Sequence, residues 1–209
     1  WPQHGVVRRL PSREQWHGLW QAHTQAPCLP PPLPLPAILR SVSLPWRDTW
    51  PAPETMGLSD AHDPPLRQRG GRAPGQQVLH DFLHARAAFY RGGISSPLTA
   101  PTACSRLSPY LALGCLGMRE VVQATQQRQV QLKLQDAQQA AHVRQGLAAF
   151  MSRMHWHCHF IQKLESEPEL EWRTLHRGYD GLREDDWNPA HFDALQAGRT
   201  GWPMVDACV

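Results

Sequence analysis

Ser105, Arg106 and Ser108 sit inside the run CSRLSPYLALG, Cys104 to Gly114, which packs two hydroxyls and a guanidinium directly ahead of an apolar stretch with helical texture. A serine followed by proline reads as a helix start. The serine oxygen can cap free amides, and proline fits the first helical position because its missing N–H would have gone unpaired there. Helix N-terminal amides and the helix dipole favour an anion, and Arg106 adds a charge-assisted donor suited to phosphate. Two readings follow from the residues: a corner that holds a phosphate, and an ordinary capped turn with Arg106 in a salt bridge. Spacing alone does not separate them.

Other constellations carry less. In HWHCH, His155 and His159 are four apart, the spacing of a two-histidine metal pair. The glutamate of an HExxH motif is absent and no third ligand is evident, so no metal site is expected. The acidic run REDDWNP, Arg183 to Pro189, reads as the cap of a helix start, since paired carboxylates need a pocket to become catalytic. Asp206 reads as a buried partner for an arginine, with Arg106 as the named candidate. Cys28, Cys104, Cys115, Cys158 and Cys208 are odd in number, scattered and without a CxxC pair. That pattern indicates neither a disulfide framework nor a zinc module, and it suits a reducing, cytoplasmic setting.

The elements that must position these residues are helical. Leu79, Phe82, Leu83, Arg86 and Phe89 with Tyr90 recur at three- and four-residue steps and predict a helix ending near Gly92. Leu111 to Ala124 predicts a second helix. The glutamine-rich stretch that follows suits a solvated helix and a long loop equally. Leu147, Phe150, Met151, Met154, Cys158 and Ile161 draw the strongest helical stripe in the chain. Strand alternation is scarce, so the fold class is all-α.

Composition divides the 209 residues near position 70. Most of the 20 prolines lie before that point, in runs that favour polyproline-like backbone, so residues 1–70 read as a connector and 71–209 as a helical domain. Within the connector, Ser12 is a plausible N-cap for a short helix carrying Trp16, Leu19 and Trp20, tryptophans placed to pack on a neighbour. A ligand for a proline-recognising module is the alternative. A net charge of +3 and a pI near 8.7 permit a nucleic-acid partner without requiring one. No apolar stretch reaches the roughly 18 residues of a membrane helix, and the start lacks the apolar core of a signal peptide. Trp1 in place of methionine points to residues missing upstream.

Three segments, YRGGISSPLTAPTACSRLSPYLALGCLGMREVVQA, FMSRMHWHCHFIQKLE and YDGLREDDWNPAHFDALQAGRTGWPMVDACV, resemble in order successive parts of the FAD-binding domain of the DNA photolyase and cryptochrome family. SRLSPYLA and GRTGWPMVDA carry most of the likeness, which covers roughly residues 76–209. The resemblance implies that Tyr90, Cys104, Ser105, Arg106, Leu107 and Ser108 line the phosphate and ribitol side of a folded FAD. It places Phe150, Arg153 and His157 toward the flavin and substrate cavity, and Trp156 as the plane on which damaged bases pack. The implied activity is light-driven repair of cyclobutane pyrimidine dimers, with damaged DNA and FAD as partners, Trp156 and Arg153 in catalytic roles, no metal, and a monomer once the domain is complete. The proline-rich head then resembles the connector after the family's N-terminal antenna domain.

Departures from the pattern bear on that activity. Cys104 stands where threonine is frequent, Arg153 where many photolyases carry glutamate, and His157 where arginine is frequent. A cryptochrome-like photoreceptor without repair, and a truncated, non-catalytic helical module, are the alternatives. No tryptophan relay is assigned from Asp185 and Trp187. The chain ends inside a family motif, so it reads as a fragment with part of a FAD site.

Overall fold

The computed structural model describes residues 13–29, 51–58, 67–135, 138 and 140–209. Among these there are helices and turns and no β-strand, in agreement with the all-α expectation. Ser12, read as an N-cap, and the main proline runs lie outside the described residues. The described chain falls into two compact units, one running to Cys158 and the other starting at His159.

In the first unit, helix α1 (Arg13–Gln25) comes from the stretch before residue 70 and packs on α6 (Met118–Lys133). Trp16 and Trp20 are buried in the unit's core. Burying each contributes on the order of 2–3 kcal/mol. Side chains of α6 satisfy the carbonyls that end α1: Arg119 donates to His23 O at 2.9 Å and Pro27 O at 2.7 Å, and Gln123 donates to Thr24 O and Ala26 O, both at 2.8 Å. Orphan carbonyls at a helix end need such partners.

Helix α2 (Arg72–Asp81) runs into a π turn (Phe82–Arg86) and then into α3 (Ala87–Gly93). The sequence stripe holds through Leu79, Phe82 and Leu83, and the π turn then moves the buried face to Ala87 and Tyr90, leaving Phe89 exposed. A wider turn shifts the register of everything after it. At its end α3 breaks where Gly92 takes a φ of 93°. Two short helices follow, α4 (Ala100–Ala103) and α5 (Ser108–Ala112).

The predicted helix from Leu111 to Ala124 is in fact two, because the chain turns at Gly114, whose φ is 69°, before α6 begins at Met118. The glutamine-rich stretch resolves as helix through Lys133. Helix α7 (Ala141–Ser166) is the long helix its stripe announces. It approaches α3 closely at Gly146, where an added Cβ would meet Ala87 O at 1.7 Å. The core joins Trp16, Trp20, Phe82, Tyr90, Leu107, Tyr110, Leu116, Leu147 and Phe150 among others.

In the second unit, after the end of α7, single 3₁₀ turns at Pro168–Glu171, Arg177–Tyr179 and Glu184–Asp186 lead to α8 (Pro189–Gln196) and α9 (Pro203–Asp206). The run read as a cap does cap a helix, but through Asn188, whose Oδ1 accepts from Ala190 N at 3.0 Å and His191 N at 3.4 Å. Asn188 sits just before the first helical turn, where a short acceptor reaches the free amides.

Candidate functional site

The corner at Cys104–Ser108 joins α4 to α5. Cys104 leaves α4 in an extended conformation (φ −62°, ψ 154°), and Arg106 turns into the left-handed region with a φ of 58°. Among the described residues it is the one non-glycine to do so. A non-glycine residue there costs about 1–2 kcal/mol, so the surroundings must hold it.

Arg86, on the π turn, does much of that holding. Its Nη1 donates to Cys104 O, and its Nη2 donates to Ser105 O at 3.3 Å and Val78 O at 3.1 Å. The guanidinium also lies 5.7 Å from the centre of the Phe82 ring, a cation–π distance. Burial pushes its pKa down, yet a guanidinium keeps its proton in proteins. From the other side, Gln68 Nε2 donates to Arg106 O at 2.8 Å.

A trans peptide sets C=O and N–H on opposite sides. With the Cys104 and Ser105 carbonyls turned toward Arg86, the amides of Ser105 and Arg106 therefore face away from it. Left-handed Arg106 is followed by Leu107 in the right-handed region (φ −93°, ψ −12°). Alternation of hand between neighbours gathers successive amides into an anion-binding concavity.

The helix-start reading needs correction. Leu107, not Ser108, occupies the N-cap, no side chain caps the helix, and α5 has only five residues. So short a helix has few aligned dipoles, and anion affinity must come from the looped amides and the guanidinium. A cavity of about 820 Å³ adjoins the corner, with Arg86, Arg91 and Arg106 on its walls beside Phe89, Thr99 and Thr102. A guanidinium beside an amide concavity suits a phosphate.

The other residues singled out in the sequence divide by exposure. Cys104, Ser105 and Arg106 are half-buried and Ser108 is exposed, so each can reach a ligand. Tyr90 is buried, its ring meeting Phe82 at 5.4 Å and Phe150 at 5.8 Å between centroids. Burial raises its pKa, while the Arg153 cation acts in the opposite sense. Leu107 and Phe150 are fully buried. The Phe150 ring meets that of Phe82 at a tilt, 4.7 Å between centroids, and the structure places it in the core. Arg153, Trp156 and His157 share the open face of α7, with Trp156 half exposed.

One further reading is revised. Asp206 does not bury itself against an arginine: its carboxylate accepts from Thr200 N at 2.7 Å, Thr200 Oγ1 at 2.6 Å and Gly201 N at 3.1 Å, closing a turn within GRTGWPMVDA. His155 rests against the rings of Trp16, His17 and Trp20 at 5.1–5.7 Å, as a packed aromatic. Among the described residues no group of three or more His, Cys, Asp or Glu could hold a metal ion. All five cysteines are free thiols, and burial raises the pKa of Cys158.

Arg86 is the functional residue that sequence reasoning passed over. Its signal was in view, because it is the one charged residue in the stripe of Leu79, Phe82 and Leu83. A charge on a core-facing stripe must find partners, and here the partners are the corner's carbonyls.

Residues 150–209 match the family model for the FAD binding domain of DNA photolyase. The chain is 29% identical over 189 residues to a deoxyribodipyrimidine photo-lyase of Halobacterium salinarum, covering 90% of this chain and 37% of the relative. It is 28% identical over 139 residues to a deoxyribodipyrimidine photo-lyase of Vibrio cholerae, covering 63% of this chain and 26% of that one. No solved structure matches. The described residues are thus helical without strands, and the cofactor that the match over residues 150–209 indicates is FAD. The chain spans about a third or less of the length of these relatives.

Proposed function

We propose that the chain grips the diphosphate of FAD in a photolyase-type protein that repairs cyclobutane pyrimidine dimers in DNA. The observation that supports this best is the corner itself, a left-handed arginine whose neighbouring carbonyls are held by Arg86, beside a cavity that Arg106 helps to line. Bound FAD supplies the light-driven electron donor of the repair reaction. Arg106 and the corner's amides hold its phosphates, with the hydroxyls of Ser105 and Ser108 alongside. Arg86 acts one step back by fixing the carbonyls and hence the direction of the amides. Tyr90 closes the apolar side against water. Trp156, half exposed on α7, offers a plane for an extruded base, and Arg153 offers a cation within the same helical turn.

One reading competes. Arg153 stands where many photolyases carry glutamate, which favours a light sensor that binds flavin without splitting dimers. The test has two stages. Titration of the 209-residue chain with FAD, followed by flavin fluorescence, should saturate and should weaken about tenfold in Arg106→Ala, the loss of one charged contact of about 1.5 kcal/mol. No binding by the native sequence, or binding indifferent to Arg106, would overturn the proposal. With flavin held, dimer splitting under blue light selects repair, and flavin photoreduction without splitting selects the sensor.

A further inference from the structure

Gln68 lies in an irregular stretch that ends at Gly71, the residue before α2. Its Nε2 donates to Arg106 O at 2.8 Å, across 38 positions of sequence. Two further ties hold the same stretch. Tyr110, buried on α5, donates its hydroxyl proton to Arg69 O at 2.9 Å, and Arg72, opening α2, forks onto Glu120 of α6 at 2.8 and 3.0 Å. Gln68 therefore reaches the corner from an anchored backbone. It is half-buried, so its hydrogen bond is partly shielded from competing water.

The bond falls on one particular peptide unit. A planar peptide can be turned only by ψ of the residue before it and φ of the residue after it. Arg86 holds the units that carry Cys104 O and Ser105 O. Gln68 holds the next, which joins left-handed Arg106 to right-handed Leu107 and so makes the reversal of hand behind the concavity. Because C=O and N–H of a trans peptide point oppositely, fixing Arg106 O also fixes the direction of the Leu107 N–H. The left-handed conformation is costly for arginine, and an outside hydrogen bond is of the size needed to hold it.

We propose that Gln68 is a positioning residue for the FAD phosphates, and that docking of residues 67–71 and binding of the phosphates favour each other. The inference rests on the reading of the corner as the flavin phosphate site and adds what controls it. A phosphate bonded to the Leu107 amide stabilises the same peptide orientation that Gln68 holds, and linkage makes the benefit mutual. The last residues of the stretch read as a connector thus bear on cofactor affinity without touching the cofactor.

The test titrates the 209-residue chain with FAD, followed by flavin fluorescence. Gln68→Met keeps the side-chain length and loses the donor, and should weaken binding about fivefold, the loss of one neutral hydrogen bond. Gln68→Glu separates positioning from packing. Ionised at about pH 7.5, its carboxylate opposes the Arg106 carbonyl and should weaken binding about tenfold. At about pH 5 a carboxyl facing a carbonyl takes up a proton, donates again and should recover most of that loss, while the Gln68→Met deficit stays constant. Trypsin supplies a second readout, because Arg67 and Arg69 are exposed cleavage points on either side of Gln68. At saturating FAD, cutting after them should slow about fivefold in the native chain and hardly at all in Gln68→Met. Unchanged circular dichroism shows that both variants fold. Native affinity in Gln68→Met, a Gln68→Glu deficit equal at both pH values, or equal protection of both chains would each overturn the inference; if Arg106→Ala still weakens binding, the corner reading stands without it. A native chain that holds no FAD would overturn both.

Discussion

The two units use the same kinds of residue to opposite effect. In the first, Phe82, Leu107, Leu147 and Phe150 are sealed from solvent and Trp16 and Trp20 nearly so. In the second, Trp172 is 80% exposed, Trp202 72% and Trp187 64%. Its order is local: Asn188 caps α8, Asp206 closes the Thr200–Gly201 turn, and Arg177–Glu169 and Arg183–Asp186 pair at 2.8 and 3.1 Å. Most of the family match falls in this second unit. A conformation can be specified by caps and turns without a core, and such short-range rules leave a recognisable sequence even where burial is slight.

The comparison is sharpest at single aromatic residues. Phe150→Ala in the first unit should cost about 3–5 kcal/mol, read from urea unfolding, because it leaves a cavity between Phe82 and Tyr90. Trp172→Ala in the second should stay within about 0.5 kcal/mol. Equal losses would erase the contrast. Gly146→Ala tests the closest helix approach of the first unit. Its Cβ would fall on Ala87 O, and a loss of about 3 kcal/mol is expected from forcing α3 and α7 apart. An unchanged urea midpoint would mean that the approach relaxes freely.

A smaller effect separates stability from function at the corner. Arg106→Gly removes both a guanidinium and the cost of a left-handed non-glycine residue. Melting temperature should therefore hardly move, within about 0.5 kcal/mol, while FAD affinity falls about tenfold. A parallel fall in both would make Arg106 a structural residue only. Arg86→Lys should lower FAD affinity through the corner's geometry, since an ammonium cannot span the Cys104 and Ser105 carbonyls as a planar fork does.

The smallest effect concerns the second unit alone. Hydrogen bonds from Thr200, then from Gly201, hold the Asp206 pKa below its ordinary value. A carboxyl with a depressed folded pKa stabilises fully above its unfolded value of about 3.9, and the contribution is lost as pH falls through the lower folded value. The Thr200 amide resonance should therefore stay fixed above about pH 4 and shift below it. A Thr200 shift centred at or above the ordinary value would refute the depressed pKa.

Much of the molecule was readable in one dimension. The stripes of α2 and α7 follow from a 3.6-residue period, and the texture of CSRLSPYLALG announces a polar corner before a helix. Helix class and the long helix are set by local spacing, so the sequence by itself determined them. The π turn that turns Phe89 outward, the left-handed Arg106 and the Arg86 grip on its carbonyls are different in kind. Each depends on what another segment presents, as does the choice that sends Phe150 and Leu107 into the core while Arg153 and Trp156 stay on the open face. Side-chain partners far apart in sequence carry no short-range signal, and only tertiary packing decides which buried donor meets which carbonyl.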